Sequence, residues 1–185
     1  MVYANLEEIK ILLESKLFKC EVLAPSEQMP LDQLVVSLDP DYLNQPRLLI
    51  IRSTPRDLSV NDELIGITSE KRKYCEIHLI AGLPFQIGES YIADTARFIL
   101  LLNKGMELPG FELSEVDRLI FFRHAFVVPE NDLDERILFS LVGMVQVLLE
   151  AFSESLEAVA IGKQSLRETL DQVQQMINAG IGSNS

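Results

Sequence analysis

Two stretches decide the fold: Gln33-Leu34-Val35-Val36-Ser37-Leu38 and Arg47-Leu48-Leu49-Ile50-Ile51-Arg52. Both are short, apolar and rich in β-branched residues, so both read as strands. Asp39-Pro40-Asp41 stops the first and Thr54-Pro55 the second. Eight residues join them. That suits an antiparallel hairpin and is too short for a parallel crossover.

Working outward, Tyr74 to Ala81 (YCEIHLIA), extended to about Phe85, reads as a third strand. The polar connection from Pro55 to Lys73 holds a short helical or strand piece near Glu63 to Thr68, and its basic cluster Lys71-Arg72-Lys73 reads as a solvated strand entrance. On the N-terminal side, Leu6, Ile9, Leu12, Leu13 and Leu17 recur at helical spacing, predicting a helix from about Asn5 to Lys19 with Asn5 as its cap. A loop carrying Pro25 and Pro30 follows. Beyond the third strand, Ser90 caps a helix over Tyr91 to Lys104, and Gly105 is its stop. Phe111 to Ser114 and Leu119 to Phe126 form a hairpin around Glu115-Val116-Asp117. Asp132 and Glu135 resemble a capping box that opens a long helix to about Ala160, stopped by Gly162. A more polar helix runs from about Gln164 to Asn178, before a frayed tail. The expected fold is α+β: an antiparallel sheet in α-β-β-β-α-β-β-α order with an additional C-terminal helix.

At 185 residues, a single domain spanning 1–185 is expected, with a core over about 5–162 and the extra helix over about 164–178. Apolar residues make up 48% and charged residues 24%, a globular composition. The net charge of −12 disfavours nucleic acid and anionic membrane surfaces as partners. Cys20 and Cys75 are too few for a disulfide framework and are read as free thiols in a reducing compartment. The N-terminus turns acidic at Glu7-Glu8, unlike a signal peptide. The apolar stretch Ile137 to Leu149 holds 13 residues, short of a membrane span. A cytoplasmic protein is expected.

No motif announces a reaction. Gly105 to Gly110 lacks the Lys-Ser/Thr of a phosphate loop, and no paired-histidine, paired-cysteine or nucleophile-elbow spacing occurs. His78 and His124 both fall on predicted strands; with Cys75 they are the one constellation an unrecognised enzyme site could use. Asp39-Pro40-Asp41 opens like a calcium loop but has Asn44 where the glycine belongs. Glu150, Glu154 and Glu157 read as a solvated stripe of the long helix. No cofactor and no metal is expected. The more informative signal is apolar excess. Leu48 to Ile51 and Leu119 to Phe122 are apolar on both strand faces, and the long helix is apolar nearly all round. Either helices cover both faces of the sheet, or a second subunit or partner covers part of it.

Ala96-Arg97-Phe98-Ile99-Leu100-Leu101-Leu102-Asn103, then Leu108-Pro109-Gly110-Phe111-Glu112-Leu113, then Leu119-Ile120-Phe121-Phe122-Arg123 form a helix, a leucine-proline-glycine turn and a hairpin. This series, with the long helix after Asp132, resembles the class I type III secretion chaperone fold and the YbjN-like proteins that share it, including cyanobacterial proteins built on it. The resemblance covers roughly residues 5 to 162. It implies a non-enzymatic protein, often a homodimer, that holds an extended segment of another protein. Hydrophobic capture on strand faces is then the expected mechanism, with Leu34, Val36, Leu49 and Ile51 as candidate capture residues and Phe98, Leu101, Phe121 and Phe122 as candidates for self-association. The alternatives are a structural subunit of a hetero-complex and an enzyme with an unrecognised site.

Overall fold

The computed structural model describes residues 4–27, 30–58, 72–172 and 175. Six strands form one sheet: β1 (Lys19–Leu23), β2 (Gln33–Leu38), β3 (Arg47–Leu58), β4 (Arg72–Gln86), β5 (Phe111–Ser114) and β6 (Leu119–Pro129). The helices are α1 (Leu6–Ser15), α2 (Ile92–Gly105) and α3 (Glu135–Ala160), and a further helix starts at 166 and is described to 172. The sheet order is β1-β2-β3-β4-β6-β5, with every neighbouring pair antiparallel. The α+β class and the antiparallel sheet are as expected, with one more strand than the expected order contains. The expected piece near Glu63 to Thr68 lies outside the described residues, as does most of the C-terminal tail.

The extra strand exists because the first helix ends early. Asn5 Oδ1 accepts from Glu8 N–H at 2.9 Å, as a cap should. At the other end, Leu17 takes the left-handed conformation (φ 69°), and the Lys16, Leu17 and Phe18 N–H groups close back onto the last turn. The chain then reverses into β1 instead of continuing to Lys19. Between β2 and β3, Asp41 Oδ1 accepts from Leu43 and Gln45 N–H, a local turn that fixes the hairpin.

The Leu108-Pro109-Gly110 turn is held by α2. Asn103 Oδ1 accepts from Gly110 and Phe111 N–H, and its Nδ2 donates to Phe111 O at 2.8 Å. Gly110 is packed so closely that a Cβ would lie 2.7 Å from Arg123 O and from the Phe122 ring. Two helix starts differ from expectation. Ser90 falls in a 3-10 turn (Glu89–Tyr91) rather than capping α2. Asp134, not Asp132, caps α3, accepting from Arg136 N–H at 2.8 Å. Gly162 does end α3, at φ 72°, and a side chain there would overlap the Tyr91 ring.

Cross-strand register places Leu34, Val36, Leu49, Ile51, Cys75, Ile77, Leu79, Ala81, Phe122 and Phe111 on one sheet face. All are buried. α1, α2 and α3 bury Ile9, Leu13, Phe98, Leu102, Leu138, Val142, Val145 and Leu149 in the same core. Among the described residues no helix covers the opposite face. Of the two arrangements that the apolar excess allowed, helices on both faces is not the one that the described residues form. α3 is 26 residues long and, by length and composition alone, could cross a membrane; the 13-residue apolar stretch is only part of it, in its N-terminal half. One side of this helix is built into the core.

Candidate protein-binding face

The uncovered face of the sheet is built by the residues that alternate with the core. Register sets Val35, Ile50 and Ile80 side by side across β2, β3 and β4. Beside that row, Ser37 stands opposite Leu48, and Gly82, Phe121 and Glu112 align across β4, β6 and β5. Val35, Ile50, Ile80 and Phe121 are half-buried, and Leu48 is 48% exposed. Such side chains on an open sheet face leave apolar surface in water. Gly82 adds no side chain, so the surface is low where β4 crosses it.

Polar groups frame this centre. Toward the far end of β3 and β4, Arg56 holds Glu76 Oε2 through Nε at 3.0 Å and Nη2 at 2.9 Å, and His78 Nε2 lies 3.1 Å from Glu76 Oε1. The hydrogen bond from Arg56 holds the Glu76 carboxyl below the usual carboxylate range. Toward β5, Arg123 grips Glu112 Oε1 through Nε at 3.0 Å and Nη2 at 2.7 Å. The face is thus an apolar strip between two ion-paired corners, with backbone approachable along β4.

The expected capture residues are not on this face. Leu34, Val36, Leu49 and Ile51 each have no exposed surface and belong to the core. The signal that separates the faces lies in β2. Its Leu34-Val36-Leu38 set is wholly apolar and buried, whereas Val35 shares its face with the polar Gln33, itself buried, and with the exposed Ser37, so the mixed set is the one turned away from the helices. The expected self-association residues do not form a patch either. Phe98 and Phe122 are fully buried, Leu101 is 46% exposed on α2, and Phe121 stands on the uncovered sheet face.

The possible enzymatic constellation is not brought together. His78 is on the uncovered face, while Cys75 and His124 are on the helix-covered face. Burial pushes the His124 imidazole below its usual pKa, and the ring stacks on Phe126 with centroids 6.3 Å apart. Cys75 borders a cavity of about 650 Å³ under the start of α1. Burial, with Glu14 nearby, raises the Cys20 thiol to about 11. Among the described residues no three His, Cys, Asp or Glu side chains are grouped as metal ligands.

The acidic stripe of α3 is not simply solvated. Glu150 Oε2 accepts from Arg47 Nη1 at 2.6 Å, Glu157 accepts from the Tyr42 hydroxyl, and Gln146 donates to Asp39. Burial and the bond to Glu157 push the Tyr42 phenol up to about 12. These contacts fasten the β2–β3 connection onto α3.

No family model matches the sequence, and no curated protein matches it. Fold and face together define a class: an α+β protein whose antiparallel sheet is covered by helices on one side and presents a partly apolar surface on the other.

Proposed function

We propose that this protein is a non-enzymatic, chaperone- or adaptor-like binding module that captures an extended, apolar segment of a partner protein on the uncovered sheet face. The observation that carries this reading is the strip Val35–Ile50–Ile80 with Leu48 and Phe121, left in contact with solvent beside a fully formed core. An extended segment suits it. Alternate side chains of such a segment point one way, matching the two-residue spacing of Leu48 and Ile50, while the Arg56–Glu76 and Arg123–Glu112 pairs offer polar edges that orient it. The resemblance to class I type III secretion chaperones points the same way. The reading includes a cytoplasmic location, no cofactor, no nucleic-acid or membrane partner, and self-association as a homodimer.

An array of synthetic ten-residue peptides, graded from alternating apolar to fully polar, tests it with the purified chain. Binding should concentrate on the alternating apolar peptides and fall at least tenfold in Ile50→Asp, with the melting temperature nearly unchanged because Ile50 faces away from the core. Binding that ignores apolar pattern, or that Ile50→Asp leaves intact, would rule the reading out.

A further inference from the structure

β4 is 15 residues long, and Gly82 lies inside it, in register with Phe121 of β6. Glycine is a poor strand residue: it loses the most conformational freedom on folding and packs nothing. Where this chain needs a glycine, the reason is visible. Gly110 is pressed against Arg123 O and the Phe122 ring, and Gly162 has positive φ. Gly82 has neither reason. Its φ is outside the left-handed region, so the register shift between Gly82 and Gln86 does not demand glycine at 82. A Cβ there would meet no atom within 4 Å among the described residues.

Register shows what surrounds the gap. Gly82 is one corner of a block of four on the uncovered face: Ile80 precedes it along β4, Phe121 stands directly across on β6, and Arg123 stands across from Ile80. Leu48 approaches from β3, by the same register that sets Ile50 opposite Ile80. Arg123 is tied toward β5 by Glu112, so these two charges satisfy each other and the walls of the gap are apolar. An aromatic ring folded over a strand glycine covers its bare backbone and is one remedy for such a gap. Phe121 is placed to do this and does not, since its ring comes no closer than 4 Å to the Cβ position. A strand glycine that nothing inside the chain explains marks a place where a ligand approaches closely.

We propose that Gly82 is the seat for an aromatic side chain of the captured segment, lying flat on the β4 backbone with its edge against the Phe121 ring. The same hairpin already uses edge-to-face packing on its helix-covered side, between Phe111 and Phe122 with centroids 5.3 Å apart. The inference rests on the capture reading above and narrows it: the partner segment carries Phe, Tyr or Trp at the position that meets Gly82.

Fluorescence anisotropy with three ten-residue peptides tests it. Each peptide alternates valine and serine and differs only at one central position, which holds phenylalanine, cyclohexylalanine or leucine. The full chain should bind the phenylalanine peptide about tenfold more tightly than the other two, because only a flat aromatic ring both covers the glycine and pairs edge-on with Phe121. Gly82→Thr fills the seat with a good strand former, so it should melt at or above the parent temperature while binding all three peptides alike. Equal binding of the three peptides by the parent chain would overturn the aromatic seat and leave the capture reading standing. No binding of any of them would overturn both. A phenylalanine preference that survives Gly82→Thr, or a threonine variant that melts well below the parent, would show that the glycine serves another purpose and overturn the proposal.

Discussion

Replacing Glu150 by alanine should cost far more than the loss of a surface carboxylate. Arg47 opens β3 beneath α3 with its side chain only 3% exposed, and its Nη1 donates to Glu150 Oε2 at 2.6 Å. Its Nε and Nη2 are buried with no partner among the described residues. Exposed ion pairs contribute about 0–1 kcal/mol, whereas stranding one member of a buried pair costs about 3–5 kcal/mol. Glu150 itself is 62% exposed. Water already reaches it and dilutes the pairing, so the expected loss is about 2–3 kcal/mol, or roughly 4–12 °C in Tm for a chain of this size. The double variant Arg47→Met with Glu150→Ala removes the stranded charge together with the two unpartnered N–H groups. It should recover to within about 1 kcal/mol of the parent and be more stable than Glu150→Ala alone. Urea unfolding of the four proteins, followed by circular dichroism, closes the cycle. A Glu150→Ala cost below about 0.5 kcal/mol, or a double variant no more stable than that single one, would refute the reasoning.

Asn103→Ala strips three hydrogen bonds from the Leu108-Pro109-Gly110 turn and should lower stability by about 2–3 kcal/mol in a denaturant titration. Leu17→Gly relieves a left-handed leucine that is 93% exposed and packs on nothing; after glycine's own entropic cost the expected gain is about 0.5–1 kcal/mol, read as a raised Tm. The Cys20 thiol, raised to about 11, should be alkylated by iodoacetamide at pH 8 on the order of 100-fold more slowly than a free cysteine. Peptide mapping of the alkylated chain follows this, with the rate climbing only as pH approaches that value. Arg56, Arg136 and the Ser165 N–H hold Glu76, Asp134 and Glu168 below the usual carboxylate range. A depressed native pKa contributes stability above the unfolded value and loses it as pH falls through the native one, so Tm should be level above about pH 5 and decline below about pH 4. Asp134→Asn should make that decline shallower in a pH series of melts.

The hairpins were legible where turn chemistry was explicit: Asp39-Pro40-Asp41 between β2 and β3, and Glu115-Val116-Asp117 between β5 and β6, where Ser114 and Asp117 bond across the turn. The β1 strand was not, although Lys19-Cys20-Glu21-Val22 alternates as a strand should. Leu17 ends α1 in a conformation that glycine usually supplies, so no stop signal stands in the sequence. β3 and β4 also extend further than their apolar runs. Pro55 does not stop β3, because alternation from Ile51 turns its missing N–H away from β4. The apolar excess was visible, but its assignment to a face was not. Leu48-Leu49-Ile50-Ile51 is symmetric in hydrophobicity, and only the mixed company of Val35 in β2 and of Ile80 beside Glu76 and His78 in β4 says which set faces outward. The role of Glu150 and Glu157 depended on partners more than a hundred residues away, Arg47 and Tyr42, beyond the reach of any local pattern.

The most direct test of the capture face is photocrosslinking in native lysate. A photoreactive phenylalanine analogue placed at Leu48 or Phe121, on the uncovered sheet face, is compared with the same group at Leu100 on α2, which is also exposed. A discrete adduct with another protein from Leu48 and Phe121, and none from Leu100, is the predicted result. Adducts from Leu100 with none from the sheet face would contradict it.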